Sequence, residues 1–177
     1  MTQIAVLTGD IVASTDLEPS ALGALFDELK VETARILTWS EGSAPFSRRG
    51  GDGWQLALED ARIALRAALA LQCACKSHGV ETRVSIAQGA YDLPFPLDLN
   101  EAFGDVFTAS GRALDALPRH VLITHASAGP IGAAAALADQ ISQQWTKPQA
   151  AAVRLALDPA SGARKDIAKV LGKSRQA

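Results

Sequence analysis

The stretch Ile4-Ala5-Val6-Leu7-Thr8-Gly9-Asp10-Ile11-Val12-Ala13-Ser14-Thr15 decides the fold. Its first four residues form a short apolar run that ends in Thr8-Gly9-Asp10, the reading of a buried strand that delivers a carboxylate at its end. Glu18-Pro19-Ser20 then opens a helix, with Leu22, Leu25, Phe26, Leu29, Ile36 and Leu37 on one stripe at 3–4 spacing. Phe46-Ser47-Arg48 and Trp54-Gln55-Leu56-Ala57-Leu58 flank the glycine-rich turn Arg49-Gly50-Gly51-Asp52-Gly53, which makes a hairpin. A second helix, rich in Ala and Leu, is expected over 60–78, with Gly79 at its C-terminal cap. Strand alternation follows over 82–90, a third helix over 104–117 and a strand over 120–124. The order β-α-β-β-α-β, then α-β, is the ferredoxin-like split arrangement with extensions, an α/β (α+β) fold.

That topology has a chemical consequence. Its first and third strands are antiparallel neighbours, so the end of one lies beside the start of the other. Asp10 closes the first and Asp52 opens the third, and 42 residues of sequence separation collapse to adjacency. Two carboxylates held that close repel each other unless a cation sits between them. Such an oxygen pair suits Mg²⁺ or Mn²⁺ carrying a polyphosphate. Singly, each Asp is also an ordinary turn residue, since Asp and Gly favour turns; together they point to a metal.

Three motifs carry a family resemblance over residues 3–125. Gly9-Asp10-Ile11-Val12-Ala13-Ser14-Thr15 resembles the first-strand motif of class III adenylyl/guanylyl cyclases. Arg48-Arg49-Gly50-Gly51-Asp52 resembles their hairpin motif, in which a base-selecting residue stands four before the second metal Asp. Gly104, Thr108 and Arg112 resemble the Gly, Asn and Arg of their late helix, with Thr108 replacing the Asn. The resemblance implies a nucleotide cyclase fold and a homodimer with active sites at the subunit interface. Two divalent ions, Mg²⁺ or Mn²⁺, would lie on Asp10, Ile11 and Asp52. The amides from Ile11 to Thr15, including those of Ser14 and Thr15, would cradle a nucleoside triphosphate. The partner subunit would supply Arg48 and Glu101 to read the base, and Arg112 and Thr108 to serve catalysis. Adenylyl cyclases carry Lys with Asp where this chain has Arg48 with Glu101, and no counterpart stands here for their triphosphate-clamping Lys. The Gly-Asp pairs, Gly9-Asp10 and Gly51-Asp52, also resemble the paired motifs of bacterial SatD-like proteins, which carry a C-terminal DNA-binding segment.

The chain is expected to divide into a cyclase-like domain over 1–128, where the resemblance lies, and a helical segment over 129–177. Residues 1–145 hold 10 Lys/Arg against 17 Asp/Glu, whereas residues 146–177 hold 7 against 2. The basic tail is the part suited to a polyanion. Helices are expected over 133–145 and from Lys147-Pro148 onward. Residues 163–177 resemble a helix-turn-helix, with Ala168 at the helix contact, Gly172 at the turn and Ser174 capping a recognition helix that stops at Ala177. Lys165, Lys173 and Arg175 would meet phosphates, with DNA read only in a longer form. No apolar run approaches the roughly 18 residues of a membrane span. The N-terminus reads as unprocessed, Cys73 and Cys75 as reduced thiols, and the location as cytoplasmic. His78, His120 and His125 have no partners in sequence and read as surface or satisfied histidines.

Two functions are expected from these features. One is a metal-dependent homodimeric cyclase that makes a 3′,5′-cyclic nucleotide. The other is a non-catalytic sensor or dimerisation domain of a DNA-binding transcriptional regulator.

Overall fold

The computed structural model describes residues 2–92 and 98–172. The expected cap at Ser174 and the basic residues Lys173 and Arg175 lie outside the described residues. Strands β1 (Thr2–Ile11), β2 (Phe46–Arg49), β3 (Gly53–Leu58), β4 (Thr82–Tyr91) and β5 (Ile123–His125) form one sheet in the order β2-β3-β1-β4-β5. All neighbours are antiparallel except β4 and β5, which run parallel. The first four strands are the split βαβ core, and β5 extends its edge.

Helices α1 (Pro19–Leu37) and α2 (Ala64–Ser77) cover one face, and α3 (Asp105–Asp115) packs on the other. Alternation along β1 builds both layers. Ala5 and Leu7 join the main core with Leu25, Leu29 and Leu71, whereas Ile4 and Val6 pack with Val106 and Phe107 of α3. Burial on both sides explains why β1 begins as a continuous apolar run. Helix α3 is pinned by polar contacts as well: the Ser110 hydroxyl donates to Thr8 Oγ1 at 2.8 Å, and that of Ser85 donates to the Ser110 carbonyl at 2.6 Å.

Local chemistry accounts for the element ends. The region expected as one helix from residue 60 begins as a 3₁₀ turn (Ala61–Ile63), whose Asp60 side chain accepts from the Arg62 amide, before α2 starts. The last strand starts at Ile123, and the amides of Leu122 and Ile123 both donate to Asp139 Oδ1 at 2.9 Å. Asp139, itself buried, belongs to α4 (Pro130–Gln143), which begins at a proline after Gly129 at φ 83°. Thr146 and Gln149 form a capping box at the start of α5 (Lys147–Ala156), and α6 (Arg164–Val170) follows.

Helices α4 and α5 share the core of the sheet domain. Ala135 packs in the main core, Ala150 is fully buried, and Lys76 Nζ donates to the carbonyls of Ser142 and Gln143 at 3.0 and 2.7 Å. Cys73 and Cys75 are free and buried in α2, and burial pushes both thiols up to about 12. No helix among the described residues is long and apolar enough to cross a membrane.

Candidate functional site

The site begins with strand register. Asp10 stands opposite Gly53 of β3 on one side and Arg83 of β4 on the other. The Ile11 amide donates to the Asp52 carbonyl at 3.1 Å, which fixes Asp52 beside the end of β1. The structure thus brings Asp10 and Asp52 to one corner of the sheet. Gly9 makes the corner possible: a Cβ there would lie 2.4 Å from two indole carbons of Trp54 and 2.5 Å from the Arg83 carbonyl oxygen. Trp54 is fully buried, and its Nε1–H donates to Thr82 Oγ1 at 2.9 Å. The Thr82 hydroxyl in turn donates to the Asp10 carbonyl at 2.6 Å. Trp54 is therefore a packing residue, a bolt under the loop that carries the carboxylates.

Beyond β1 the chain turns sharply. Ala13 adopts a left-handed conformation at φ 52°, ψ 38°, and a 3₁₀ turn (Ser14–Asp16) follows. The Ile11 and Val12 amides are bonded to the carbonyls of Asp52 and Glu81. Those of Ala13, Ser14 and Thr15 have no partner among the described residues. Left-handed backbone followed by right-handed backbone makes successive N–H groups converge, a concavity suited to an anion. The Ser14 hydroxyl donates to Asp52 Oδ2, which ties this loop to the hairpin. Left-handed alanine costs about 1 kcal/mol or more that glycine would not pay. Ala13→Gly should accordingly raise stability by about 1 kcal/mol in urea denaturation.

Arg83 belongs to none of the sequence motifs, yet it dominates the corner. Its guanidinium grips Asp10 with two donors, Nε to Oδ1 at 2.9 Å and Nη2 to Oδ2. The bonded Asp10 carboxylate, with Asp52 and Asp115 nearby, holds the Arg83 pKa above its ordinary value. A signal existed in the alternation of β4. Val84 and Ile86 are core residues, so Arg83 faces away from that core, as Asp10 does. Only the β1–β4 register, which sequence does not supply, pairs the two.

A cleft of about 470 Å³ opens beside Asp10, lined by Thr8, Arg49 and Gln55 from the sheet and by Phe103, Phe107 and Thr108 from the α3 side. Thr108 is exposed on α3 and lines this cleft; Arg112, one turn later, is exposed on the same helix. Glu101 is exposed in the turn that precedes α3. Arg48 and Arg49 diverge, as adjacent strand residues must. Arg48 lies 4.2 Å from the Phe26 ring centroid of α1 and donates to the Gly51 carbonyl. Arg49 instead lines the cleft and donates to the Leu99 carbonyl at 3.1 Å. Within one subunit, then, Arg49 and not Arg48 is the hairpin arginine at the cleft. The histidines stand apart: His78 and His120 are exposed, and buried His125 accepts from the Ser127 amide at Nδ1. Burial lowers the His125 pKa.

No protein-family model and no curated protein matches the chain. Solved structures do. The active GGEEF domain of a diguanylate cyclase from Vibrio cholerae is similar at a TM-score of 0.51 and 12% identity, over 72% of this chain and 85% of that one. The fold is that of a nucleotidyl cyclase domain. The guanylyl cyclase Cya2 aligns at 0.49 and 15% identity over 70% of this chain and 74% of that one. A GGDEF domain from Pseudomonas aeruginosa aligns at 0.46 and 21% identity over 72% and 84%.

The donor set can be tested against two divalent ions. Asp10 gives both oxygens to Arg83, and Asp52 gives one to Ser14. Among the described residues no three His, Cys, Asp or Glu side chains converge as a metal cage. A guanidinium already neutralises one member of the pair. The residues leave Asp52 as the carboxylate open to a single ion and do not fit a resident pair.

Proposed function

We propose that this chain binds a nucleoside triphosphate together with its Mg²⁺ or Mn²⁺ and, as a homodimer, closes it to a 3′,5′-cyclic nucleotide. The observation that carries the reading is the pairing of Asp10 with Gly53, which sets Asp52 beside Asp10 and within hydrogen-bonding reach of Ser14. The free amides of Ala13, Ser14 and Thr15 would receive phosphate oxygens, and Asp52 with Ile11 would hold the accompanying ion. That ion supplies charge neutralisation on the phosphates. The ribose 3′-oxygen forms a bond to the α-phosphorus as its proton leaves to solvent. The bond from the α-phosphorus to the bridging oxygen breaks, and pyrophosphate departs. Arg112 and Thr108 of the second subunit offset charge at the α-phosphate and hold the ribose. Arg48 and Glu101 of the second subunit are assigned to the base.

Incubation with each of the four common ribonucleoside triphosphates and Mn²⁺ tests the reading. Stoichiometric pyrophosphate and cyclic product from at least one is expected, with a loss of at least about 100-fold in Arg112→Ala. No product from any of the four would sink turnover.

A second reading is favoured by one specific contact, the grip of Arg83 on Asp10. Here the domain binds the nucleotide without converting it and serves as the sensor and dimerisation part of a DNA-binding regulator. Nucleotide affinity with no cyclic product, together with salt-dependent DNA affinity of a longer form, is its signature.

A further inference from the structure

Arg83 already supplies a positive charge to one carboxylate of the Asp10/Asp52 pair. It is opposite Asp10 in the β1–β4 ladder, reaches both oxygens of that carboxylate, and has Asp52 and Asp115 close enough to raise its pKa. Its side chain is 29% exposed and that of Asp10 is 21% exposed, so water screens the pair only in part. A planar, permanently charged fork bound at two points is not displaced as readily as an ammonium. The Asp10 carbonyl is fixed by the Thr82 hydroxyl, and Thr82 is fixed by Trp54, so the backbone beneath the pair is anchored. Asp52 makes no ion pair among the described residues; its one side-chain hydrogen bond there is with the neutral Ser14.

We propose that Arg83 is a built-in cation that takes the place of a divalent ion at Asp10, so that the site uses a single ion, on the Asp52 side, for each bound triphosphate. The inference rests on the nucleotide-binding reading above but concerns the electrostatics of the pair rather than turnover. It makes Arg83 the residue that sets metal stoichiometry. Without it, Asp10 and Asp52 revert to two unneutralised carboxylates side by side, the arrangement that draws in a dication.

Titration of Mn²⁺ into the whole chain, followed by the loss of the free-ion EPR signal, reads this directly. Two series are run, one on the protein alone and one with a non-hydrolysable nucleoside triphosphate analogue. The wild-type chain should take one ion per bound analogue, and without nucleotide it should bind Mn²⁺ weakly. Arg83→Gln should take a second ion and gain affinity in the nucleotide-free series by about tenfold or more, the scale of removing one unit charge beside a dication. Arg83→Lys, which keeps the charge but not the two-point fork, should fall between wild type and Arg83→Gln. Adding Asp10→Asn to Arg83→Gln should abolish the gain. Thermal melts by circular dichroism identify any variant that fails to fold, and Arg83→Lys then carries the comparison with Asp10→Asn. Two ions per nucleotide in the wild type, or equal Mn²⁺ affinity in the wild type and Arg83→Gln, overturns the inference. Failure of the analogue to bind counts against nucleotide binding instead, and the nucleotide-free series still decides the role of Arg83.

Discussion

Gly9→Ala should be among the most damaging single-methyl additions in this chain, lowering stability by about 3 kcal/mol or more. The new Cβ would sit 2.4 Å from Trp54 Cε2 and Cζ2 and 2.5 Å from the Arg83 carbonyl oxygen. None of those atoms is the free end of a flexible side chain. The indole has no solvent exposure and is held through its Nε1–H to Thr82. The carbonyl belongs to the central ladder. Either β1 and β4 separate at their paired ends or the indole leaves its slot, and each route breaks the Trp54–Thr82–Asp10 chain of contacts. Urea denaturation followed by tryptophan fluorescence measures the loss. A domain of this size has about 5–15 kcal/mol in total, so the midpoint should fall by a large fraction. Trp54→Phe in the same chain frees the six-membered part of the indole and should recover part of the loss, a non-additivity that a double-mutant cycle registers. A Gly9→Ala chain within about 0.5 kcal/mol of wild type would show that the sheet corner yields easily.

The glycine also shows which features were legible beforehand. Gly9-Asp10 at the end of an apolar run, and a second Gly-Asp pair in a turn, are visible as pattern, because strand period and turn chemistry are local properties. The adjacency of Asp10 and Asp52 followed from topology alone, since any split βαβ sheet places the first and third strands side by side. Arg83 required more. Whether it meets Asp10 or Thr8 depends on a two-residue shift in the β1–β4 register, which is set by packing on both faces rather than by any local signal. Arg48 and Arg49 are a similar case. A one-residue change of reading exchanges the arginine over Phe26 for the arginine over the cleft. The helical extension was legible as helices and as a basic segment. Its docking was hidden because the residue that anchors it, Glu32, looks like one more charge on an amphipathic helix until Arg154 arrives from 122 positions later.

That anchor carries the second large effect. Glu32 in α1 has no solvent exposure, yet it is an acid. Arg35 donates to it from the next turn, with Nε 3.1 Å from Oε2, and Arg154 of α5 donates from Nε to the same oxygen at 2.7 Å. Arg154 also pairs with Glu28 at 2.6 Å, and Arg35 donates to the Arg154 carbonyl at 2.8 Å. Two cations thus converge on one buried carboxylate, and α5 is held to α1 through it. Removing only the shared partner leaves both guanidiniums short of an acceptor in a poorly hydrated place, the costly way to break a buried ion pair. Glu32→Ala should therefore lose about 3–5 kcal/mol in urea denaturation. The damage should be directional: α5 should loosen before the sheet unfolds, because Arg154 is left with Glu28 alone as its ion-pair partner on α1. Trypsin reads this, since Arg154 is only 19% exposed in the intact chain and its peptide bond lies within a helix. Cleavage after Arg154 should become the first cut in Glu32→Ala under conditions where the wild type resists it. Glu32→Met combined with Arg154→Leu removes charge from both helices while keeping apolar volume, and should restore a substantial part of the stability although no ion pair joins α5 to Glu32. If that double variant proves as unstable as Glu32→Ala, the charges hold α5 in place by attraction; if it recovers, the penalty of the single variant is the solvation cost of stranded arginines.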